Sequence, residues 1–515
     1  MSTGASPADL HSLTLGPDVS LTCEELESAA QTKRLTLQLT DAAQHSLRDA
    51  RAALESARER GDEVYGVTTG FGPLVDFQSA ESGGTLHGAG LLAHLSTGSG
   101  ALASREVARA MCIARLQSLA QGYSAIRLTA LERFASLIEH GITPAIPEIG
   151  SVGASGDLTP LAHAARVMTG TGRVLRADGS IEPAENSLNR IGIEPLDLDG
   201  RDALALVNGT AFMTAYAALA LARMRRIVRH LERLTGWMYR LLGCELQALD
   251  PRLHAARGHN GQCDSAASIR TEALRHGPFQ RSDNRPLQEP YSIRCAPQVI
   301  GACRDQIAYA KNIIETELNG VNDNPVVISG DDPAVLHGGN FQGQQIALAA
   351  DALNAAITQM GVLAERQIDL LLTPARNGDA PLLLAWTPGA TSGLAGAQIT
   401  ATALVSELRH HAQMTATSSI PTNGDNQDVV SMGTLSGRTA YEQTERLAPI
   451  LSVLGIALAQ LTHLRDADRA TGPASPVPPW MPSVEPIVED RPLRAEIDRL
   501  AQHWLSVNAD EDSPD

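Results

Sequence analysis

One segment of the chain, GSVGASGDLTPLAH at residues 150–163, combines small residues with a helix start. Ala154, Ser155 and Gly156 lie at its centre. If the backbone turns tightly here, the amide nitrogen of Gly156 can attack the carbonyl carbon of Ala154, because glycine has no Cβ to block the approach. Loss of one water from the new ring and of a second from Ser155 would leave a methylidene group conjugated to an imidazolone. These residue types therefore predict an electrophile made from the backbone alone.

The same segment has a plainer interpretation, a glycine-rich turn that enters a helix. Thr159 would then cap the helix, and Pro160 would lie in its first turn. Both interpretations predict a helix that begins here. Its N-terminus would stabilise negative charge developing on an electrophile beside it.

Other familiar catalytic patterns are missing from the sequence. It contains no HExxH metal motif, no Walker loop and no GxSxG elbow. Residues 98–103 fit a loose dinucleotide-binding pattern, but the residues before them do not read as a strand. Two pairs of histidines could be considered as metal ligands, His87 with His94 and His410 with His411. Histidines at such positions are more typical of helix surfaces and cores. We therefore expect no metal site.

Composition bounds the class of protein. The 515 residues carry a formal net charge of −17, which argues against a nucleic-acid or anionic-membrane partner. The six cysteines form no CxxC pair and the N-terminus does not read as a signal peptide, so we expect a reduced, cytoplasmic protein. Residues 203–222 are uncharged and long enough to span a bilayer, but polar residues such as Asn208 interrupt them. A buried helix is the better prediction.

The elements that must position the candidate residues change in character near residue 200. Before it, short periodic segments predict helices over residues 39–58, 104–120 and 128–140, and weak alternation over 172–195 predicts a small hairpin. After it, long segments with helical spacing predict a bundle, with helices over 203–246, 298–319, 344–371, 392–415 and 439–467. We predict domains at 1–200 and 201–515, with an acidic, disordered tail from about residue 508.

Further motifs follow one another along the chain, and their order carries information. They are YGVTTGFG at 65–72, ALVNGT at 205–210, YSIRCAPQ at 291–298, ELN at 317–319, NP at 324–325, HGGNFQG at 337–343, Asn423, and NQD at 426–428. Together with the Ala-Ser-Gly segment they resemble the aromatic amino acid ammonia-lyases, the family of histidine, phenylalanine and tyrosine ammonia-lyases and related aminomutases. The resemblance spans roughly residues 36–465.

The resemblance implies a division of catalytic roles. Elimination of ammonia from an α-amino acid removes a weakly acidic Cβ proton while a poor leaving group departs, so it needs an electrophile and a strong base. The family's electrophile is a 4-methylideneimidazol-5-one (MIO), which would form autocatalytically from residues 154–156. The family's base would be Tyr65. A free phenol has a pKa of about 10, so donors or positive charge must favour its anion. Gly66, Gly70 and Gly72 fit a mobile lid.

The resemblance also implies a set of binding residues. Arg294 would pair with the substrate carboxylate, since its planar fork suits a planar anion. Tyr291 would act with the catalytic residues. The other polar or small residues implied to hold the prosthetic group, the amine or the substrate are Gly72, Asn208, Gln298, Asn340, Asn423, Asn426 and Gln427. The plainer alternative for the polar members is a satisfied, buried hydrogen bond.

The expected substrate is L-tyrosine, which would give trans-p-coumarate and ammonia. Family members differ at a pair facing the substrate ring, which falls at His94 and Leu95, and His-Leu resembles the tyrosine-selective pattern. An imidazole can bond a buried phenol hydroxyl, whereas a phenyl group cannot. Gln427 is neutral where histidine-selective members have Glu. Phenylalanine would be a slower substrate.

Alternatives stay open at this point. They are a tyrosine 2,3-aminomutase, a histidine or phenylalanine ammonia-lyase, and a helical scaffold that kept the fold without activity. The resemblance implies a mainly all-α fold, with an elongated central helical bundle and a smaller N-terminal domain that carries the prosthetic group. It also implies a homotetramer with composite active sites, a small-molecule substrate, and no nucleic-acid or membrane partner.

Overall fold

The computed structural model of the chain describes residues 10–76, 84–275, 277–467 and 476–506. Helices make up 59% of the structure, and the few strands are short. The predicted helical fold class is confirmed. The predicted acidic tail from about residue 508 lies outside the described residues.

Eighteen α-helices occur in the described ranges. They are α1 (Cys23–Gln31), α2 (Asp41–Glu59), α3 (Thr85–Leu95), α4 (Arg105–Ala120), α5 (Leu128–Glu139), α6 (Leu158–Met168), α7 (Ala184–Ile191), α8 (Gly200–Val207), α9 (Ala211–Leu242), α10 (Pro251–Arg257), α11 (Asn260–Arg275), α12 (Tyr291–Arg294), α13 (Ala296–Leu318), α14 (Gln344–Leu372), α15 (Pro374–Asn377), α16 (Ala395–His410), α17 (Gly433–Ala467) and α18 (Arg494–Leu505).

The described strands pair only in twos. One pair is parallel, β1 (Leu10–Leu15) with β2 (Arg34–Leu39). Three are antiparallel, β3 (Ser99–Leu102) with β4 (Pro147–Ile149), β5 (Arg173–Leu175) with β6 (Ile181–Pro183), and β7 (Val326–Ile328) with β8 (Ala334–Leu336). The β5–β6 hairpin falls where weak alternation predicted one.

The prediction of a single helix over 203–246 is wrong, because the helix is interrupted between α8 and α9. Asn208 ends α8 in an extended conformation, at φ −91° and ψ 92°. Apolar residues continue on both sides of the break, and residues 203–222 are buried throughout. The apolar pattern therefore could not reveal the break.

Three helices carry the parts of the candidate site. Helices α3, α6 and α8 pack against one another. Gly88 of α3 permits the close approach, since a Cβ there would lie 2.5 Å from the carbonyl oxygen of Leu198, just before α8. His94 is on α3, the Ala-Ser-Gly segment precedes α6, and Asn208 ends α8. Their packing therefore fixes where these residues lie.

Backbone contacts divide the chain into two units. The first comprises Met1–Leu219, Lys311–Asp351 and Met414–Arg438, and the second comprises Ala220–Ala310, Ala352–Gln413 and Thr439–Asp515. This grouping does not test whether residues 1–200 form a domain of their own, so that division stays a prediction.

Among the residues that the structure describes, three helical stretches are long and apolar enough to cross a membrane by length and composition. They are Gly200–Leu242, Gln344–Leu372 and Gly433–Ala467. In the most apolar 18-residue segment of each stretch, the buried share is 100%, 72% and 89%, in that order. Burial against other protein segments accounts for most of this apolar surface.

Candidate active site

The Ala-Ser-Gly segment forms a tight turn between β4 and α6. Ala154 and Gly156 make an isolated backbone bridge with each other. Gly156 has φ +68°, and a Cβ there would lie 2.3 Å from the carbonyl oxygen of Gly209. No residue with a side chain fits this position. A tight turn is present, with a backbone bridge between the two residues that cyclisation would join.

Helix α6 begins at Leu158, one residue before the predicted cap Thr159. Asp157 takes the N-cap position, although its carboxylate does not bond the helix that it begins. Pro160 lies in the first turn as predicted. The segment therefore passes directly from the turn into the helix.

The carboxylate of Asp157 instead binds elements distant in sequence. It accepts hydrogen bonds from the amides of Phe212, at 2.9 Å, and Met213, at 2.8 Å, in the first turn of α9. It also accepts from the hydroxyls of Ser151, at 2.9 Å, and Thr434, at 2.6 Å. Burial raises the pKa of Asp157, while these bonds lower it in part. Asp157 thus ties the turn to the N-terminus of a long helix.

Two side-chain amides hold Ser155. Nδ2 of Asn208 donates to the carbonyl oxygen of Ser155 at 2.9 Å, and Nε2 of Gln427 donates to its Oγ at 2.6 Å. Oδ1 of Asn208 is buried and has no hydrogen-bond partner among the described residues. Backbone and side chain of Ser155 are therefore each fixed by a separate donor.

Arg115 of α4 supports the break that carries Asn208. Its buried guanidinium donates to the carbonyl oxygens of Ala205 and Asn208, the latter at 2.8 Å, and to Oδ1 of Asn322 at 2.9 Å. Burial lowers the pKa of Arg115 to about 10. A Cβ on Gly209 would lie 2.1 Å from Nη1 of Arg115. The glycine therefore leaves room for the arginine.

Tyr65 is held at both ends. Its Oη accepts a hydrogen bond from the amide of Gly72 at 2.7 Å, and its own amide donates to Nε2 of His337 at 3.1 Å. Its ring meets that of Phe71 edge-on, with centroids 6.4 Å apart. Burial raises the pKa of Tyr65 and outweighs the opposite effect of the Gly72 amide. The donor expected for a phenolate is present, but the net pKa shift is upward.

Packing requires two of the three loop glycines. A Cβ on Gly66 would lie 2.6 Å from a methyl carbon of Leu204, and one on Gly70 would lie 2.4 Å from the carbonyl oxygen of Leu74. Gly72 has φ +56° with open space around it. Close packing is therefore sufficient to account for Gly66 and Gly70. The mobile lid stays a prediction.

A cavity of about 560 Å³ brings most of the predicted residues of the first unit together. The predicted residues that line it are Tyr65, Gly72, His94, Leu95, Ser155, Asn208, Asn423, Asn426 and Gln427. Phe71, Asn324 and Phe341, absent from the predicted set, line it too. Asn324 and Phe341 lie inside motifs that the sequence did reveal. Their place in those motifs was the only available signal.

Asn340 lines a different cavity, of about 400 Å³, together with Glu317 and Asn322. Its Nδ2 donates to the carbonyl oxygen of Val321 at 3.2 Å. The neighbouring residue Phe341 lines the first cavity instead. The role of Asn340 in substrate binding stays a prediction.

Tyr291, Arg294 and Gln298 belong to the second unit, on α12 and the start of α13. The guanidinium carbon of Arg294 lies 4.7 Å from the ring centre of Tyr291, which is 70% exposed. The Nε of Arg294 donates to the carbonyl oxygen of Glu289 at 2.8 Å.

Two buried side chains support α12 from within the second unit. Oη of Tyr239 donates to the carbonyl oxygen of Ile293 at 3.1 Å, and Nε2 of Gln367 donates to that of Ser292 at 3.0 Å. The short helix is therefore anchored through its backbone.

The family model for aromatic amino acid lyases matches residues 21–477 of this chain. The chain belongs to the aromatic amino acid lyase family. It is therefore an enzyme, a carbon–nitrogen lyase. The resemblance drawn from the motifs is confirmed.

Relatives of this aromatic amino acid lyase include two named tyrosine ammonia-lyases. The chain is 40% identical to that of Cereibacter sphaeroides, over 91% of this chain and 93% of the relative. It is 38% identical to that of Cupriavidus metallidurans, over 91% and 90%. The crystal structure of tyrosine aminomutase from Streptomyces globisporus matches with a TM-score of 0.87 and 36% identity, over 96% of this chain and 97% of that one.

Proposed function

We propose that this lyase acts on L-tyrosine and releases trans-p-coumarate and ammonia. The observation that carries the proposal is His94 at the cavity wall, with Nδ1 3.0 Å from the carbonyl oxygen of Gly90. A carbonyl can only accept, so Nδ1 carries the proton of the neutral ring and Nε2 is left as an acceptor. A phenol hydroxyl can donate to that nitrogen, whereas an unsubstituted phenyl ring leaves it unpaired.

Gln427 supports the same substrate. It lines the cavity as a neutral amide, so it offers no charge to a protonated imidazole substrate. The two relatives named tyrosine ammonia-lyase agree with this choice.

The residues of the turn fit a methylideneimidazolone at positions 154–156. Gly156 has no room for a Cβ, Asn208 holds the carbonyl of Ser155, and the buried Oδ1 of Asn208 has no partner in the described part of the chain. Once formed, this group supplies an electrophile for the substrate amine. Asn208 would hold it in place through the carbonyl oxygen of residue 155.

Tyr65 is the proposed base. Its Oη would take the Cβ proton of the substrate, and the Gly72 amide at 2.7 Å would stabilise the phenolate. Following the family resemblance, we propose that Arg294 pairs with the substrate carboxylate, and that Tyr291 and Gln298 serve the prosthetic group or the amine. We also propose a cytoplasmic location, which agrees with the six free cysteines. The family resemblance further supports the proposal of a homotetramer with composite sites.

The first test incubates the purified protein with L-tyrosine, L-phenylalanine or L-histidine and follows the near-ultraviolet spectrum. Growth of the coumarate band with tyrosine, much faster than any cinnamate band with phenylalanine, is expected. Urocanate from histidine would overturn the substrate assignment.

A second test exchanges His94 for phenylalanine. We expect the ratio of kcat/KM for tyrosine over phenylalanine to fall at least about tenfold, since the phenol loses its partner. His87→Phe is the matched control, because His87 is on the same helix but stacks on Phe71 at 4.3 Å. An unchanged ratio in His94→Phe would remove His94 from the argument.

One observation favours a second candidate, a tyrosine 2,3-aminomutase. The similarity to the solved aminomutase covers 96% of this chain. An aminomutase would return ammonia to the product, so β-tyrosine would appear in place of free ammonia and coumarate.

A further inference from the structure

A tight loop places three of the cavity residues, and a threonine closes it. Thr422 and Gln427 pair as an isolated antiparallel bridge, with Thr422 N to Gln427 O at 3.1 Å and Gln427 N to Thr422 O at 3.3 Å. Asn423 and Asn426, which line the cavity, lie between them. Asn423 has φ +51° and the next two residues are also left-handed. The bridge therefore holds a strained turn.

The side chains of the two bridging residues continue toward the Ala-Ser-Gly turn. Oγ1 of Thr422 donates to Oε1 of Gln427 at 2.5 Å, and Nε2 of Gln427 donates to Oγ of Ser155 at 2.6 Å. An amide has one accepting end and one donating end. In the structure the threonine hydroxyl donates to the accepting end, and the donating end faces Ser155.

We propose that Thr422 is a positioning residue for the maturation of the prosthetic group, acting through Gln427. The inference rests on the proposed function, specifically on a methylideneimidazolone at residues 154–156. In the dehydration of Ser155, the Cα–H and Cβ–Oγ bonds break, the Cα=Cβ bond forms, and the hydrogen and hydroxyl leave as one water. No oxidant or reductant is needed.

The orientation of the Gln427 amide matters for this step. Charge develops on Oγ as its bond to Cβ breaks, and an N–H donor at 2.6 Å stabilises that charge. If the amide were reversed, its carbonyl oxygen would accept the hydroxyl proton of Ser155 and would oppose departure. Thr422 thus acts on the loss of the hydroxyl and leaves ring closure between Ala154 and Gly156 untouched.

The test follows maturation by intact mass after cell-free synthesis, with samples taken over time. Wild type should become lighter by two waters. Thr422→Val should reach that mass about fivefold more slowly, the effect of one neutral hydrogen bond of about 1 kcal/mol, while a species lighter by only one water accumulates. Thr422→Ser should restore the wild-type rate, and Thr422→Ala replaces the valine variant if that protein does not fold.

The matched control is Thr417→Val, since the hydroxyl of Thr417 donates to the carbonyl oxygen of Met414 in the same connection and does not reach Gln427. It should mature at the wild-type rate. Maturation of Thr422→Val at the wild-type rate would overturn the proposal. So would accumulation of the unmodified mass, which would indicate a general structural defect. Wild type that never loses two waters would instead contradict the prosthetic group itself.

Discussion

Asp157 should contribute more to stability than any single residue that lines the cavity. Its carboxylate accepts two amide bonds at the N-terminus of α9 and two hydroxyl bonds, from Ser151 and Thr434. Asp157→Ala removes all four and leaves helix-end amides buried without a partner. Each bond to a charged group is worth about 1.5–3 kcal/mol, but removing the carboxylate also relieves its desolvation. We therefore expect a net loss of about 3–5 kcal/mol in the free energy of unfolding.

Asp157→Asn is the matched variant because it keeps the shape of the side chain. The single amide oxygen can face the two α9 amides, and the NH₂ group can donate to the two hydroxyls, which accept as readily as they donate. The expected loss is about 1 kcal/mol, that of exchanging charged for neutral hydrogen bonds. The loss in Asp157→Asn measures the effect of the carboxylate charge, and the further loss in Asp157→Ala measures the remaining hydrogen bonds together with the space that the side chain fills.

The pH dependence provides a second check on Asp157. Burial raises its pKa in the folded protein above the unfolded value. The folded state therefore binds the proton more tightly, so the contribution of Asp157 is fully present below the unfolded pKa and declines as pH rises through the folded pKa. The cost of Asp157→Asn should be larger near pH 4 than near pH 7.

Urea unfolding at fixed protein concentration, followed by far-ultraviolet circular dichroism, measures these differences. Asp157→Ala within about 0.5 kcal/mol of wild type would refute the hydrogen-bond argument, since that is the range of an ordinary surface substitution. Equal losses in the two variants would show that the carboxylate charge, which both variants remove, dominates over the shape of the side chain.

Three further predictions concern other parts of the chain. Burial raises the pKa of Glu232 to about 7, so the free energy of unfolding of wild type relative to Glu232→Gln should fall by up to about 3 kcal/mol between pH 5 and 8 in urea titrations. Gly209→Ala would bring a Cβ to 2.1 Å from Arg115, and calorimetry should show a lower unfolding temperature while intact mass shows incomplete dehydration. Tyr239→Phe frees the backbone of the helix that carries Arg294, and steady-state kinetics should show KM raised about fivefold, as expected for one hydrogen bond, with kcat nearly unchanged.

Helical periodicity predicted the bounds of two long helices to within two residues. The expected helices over 344–371 and 298–319 appear as Gln344–Leu372 and Ala296–Leu318. The pattern failed at Asn208, where the buried helix stops. A hydrogen bond from Arg115 to the Asn208 carbonyl stabilises that break, and the partner lies 93 residues away in sequence. No local pattern carries such information.

The parallel pairing of β1 with β2 was not predicted either. The two strands are short, and α1 lies between them. Their pairing is decided by contacts between segments, which single-strand patterns do not reveal.

The possible chemistry could be predicted from the residue types. Ala154, Ser155 and Gly156 are the residue types that a backbone electrophile needs, and the order of the other motifs was sufficient to identify the family. Tyr65 and His94 were predicted through the resemblance of their motifs, and both line the cavity.

How those residues are held became evident from the fold. Asp157 and Thr422 look ordinary in sequence, as an acidic residue at a helix start and a threonine in a loop. Their importance comes from partners, at the start of α9 and at Gln427, whose positions depend on the fold. Residue type sets which reaction is possible, but hydrogen bonds between distant segments set the orientation of the reacting groups.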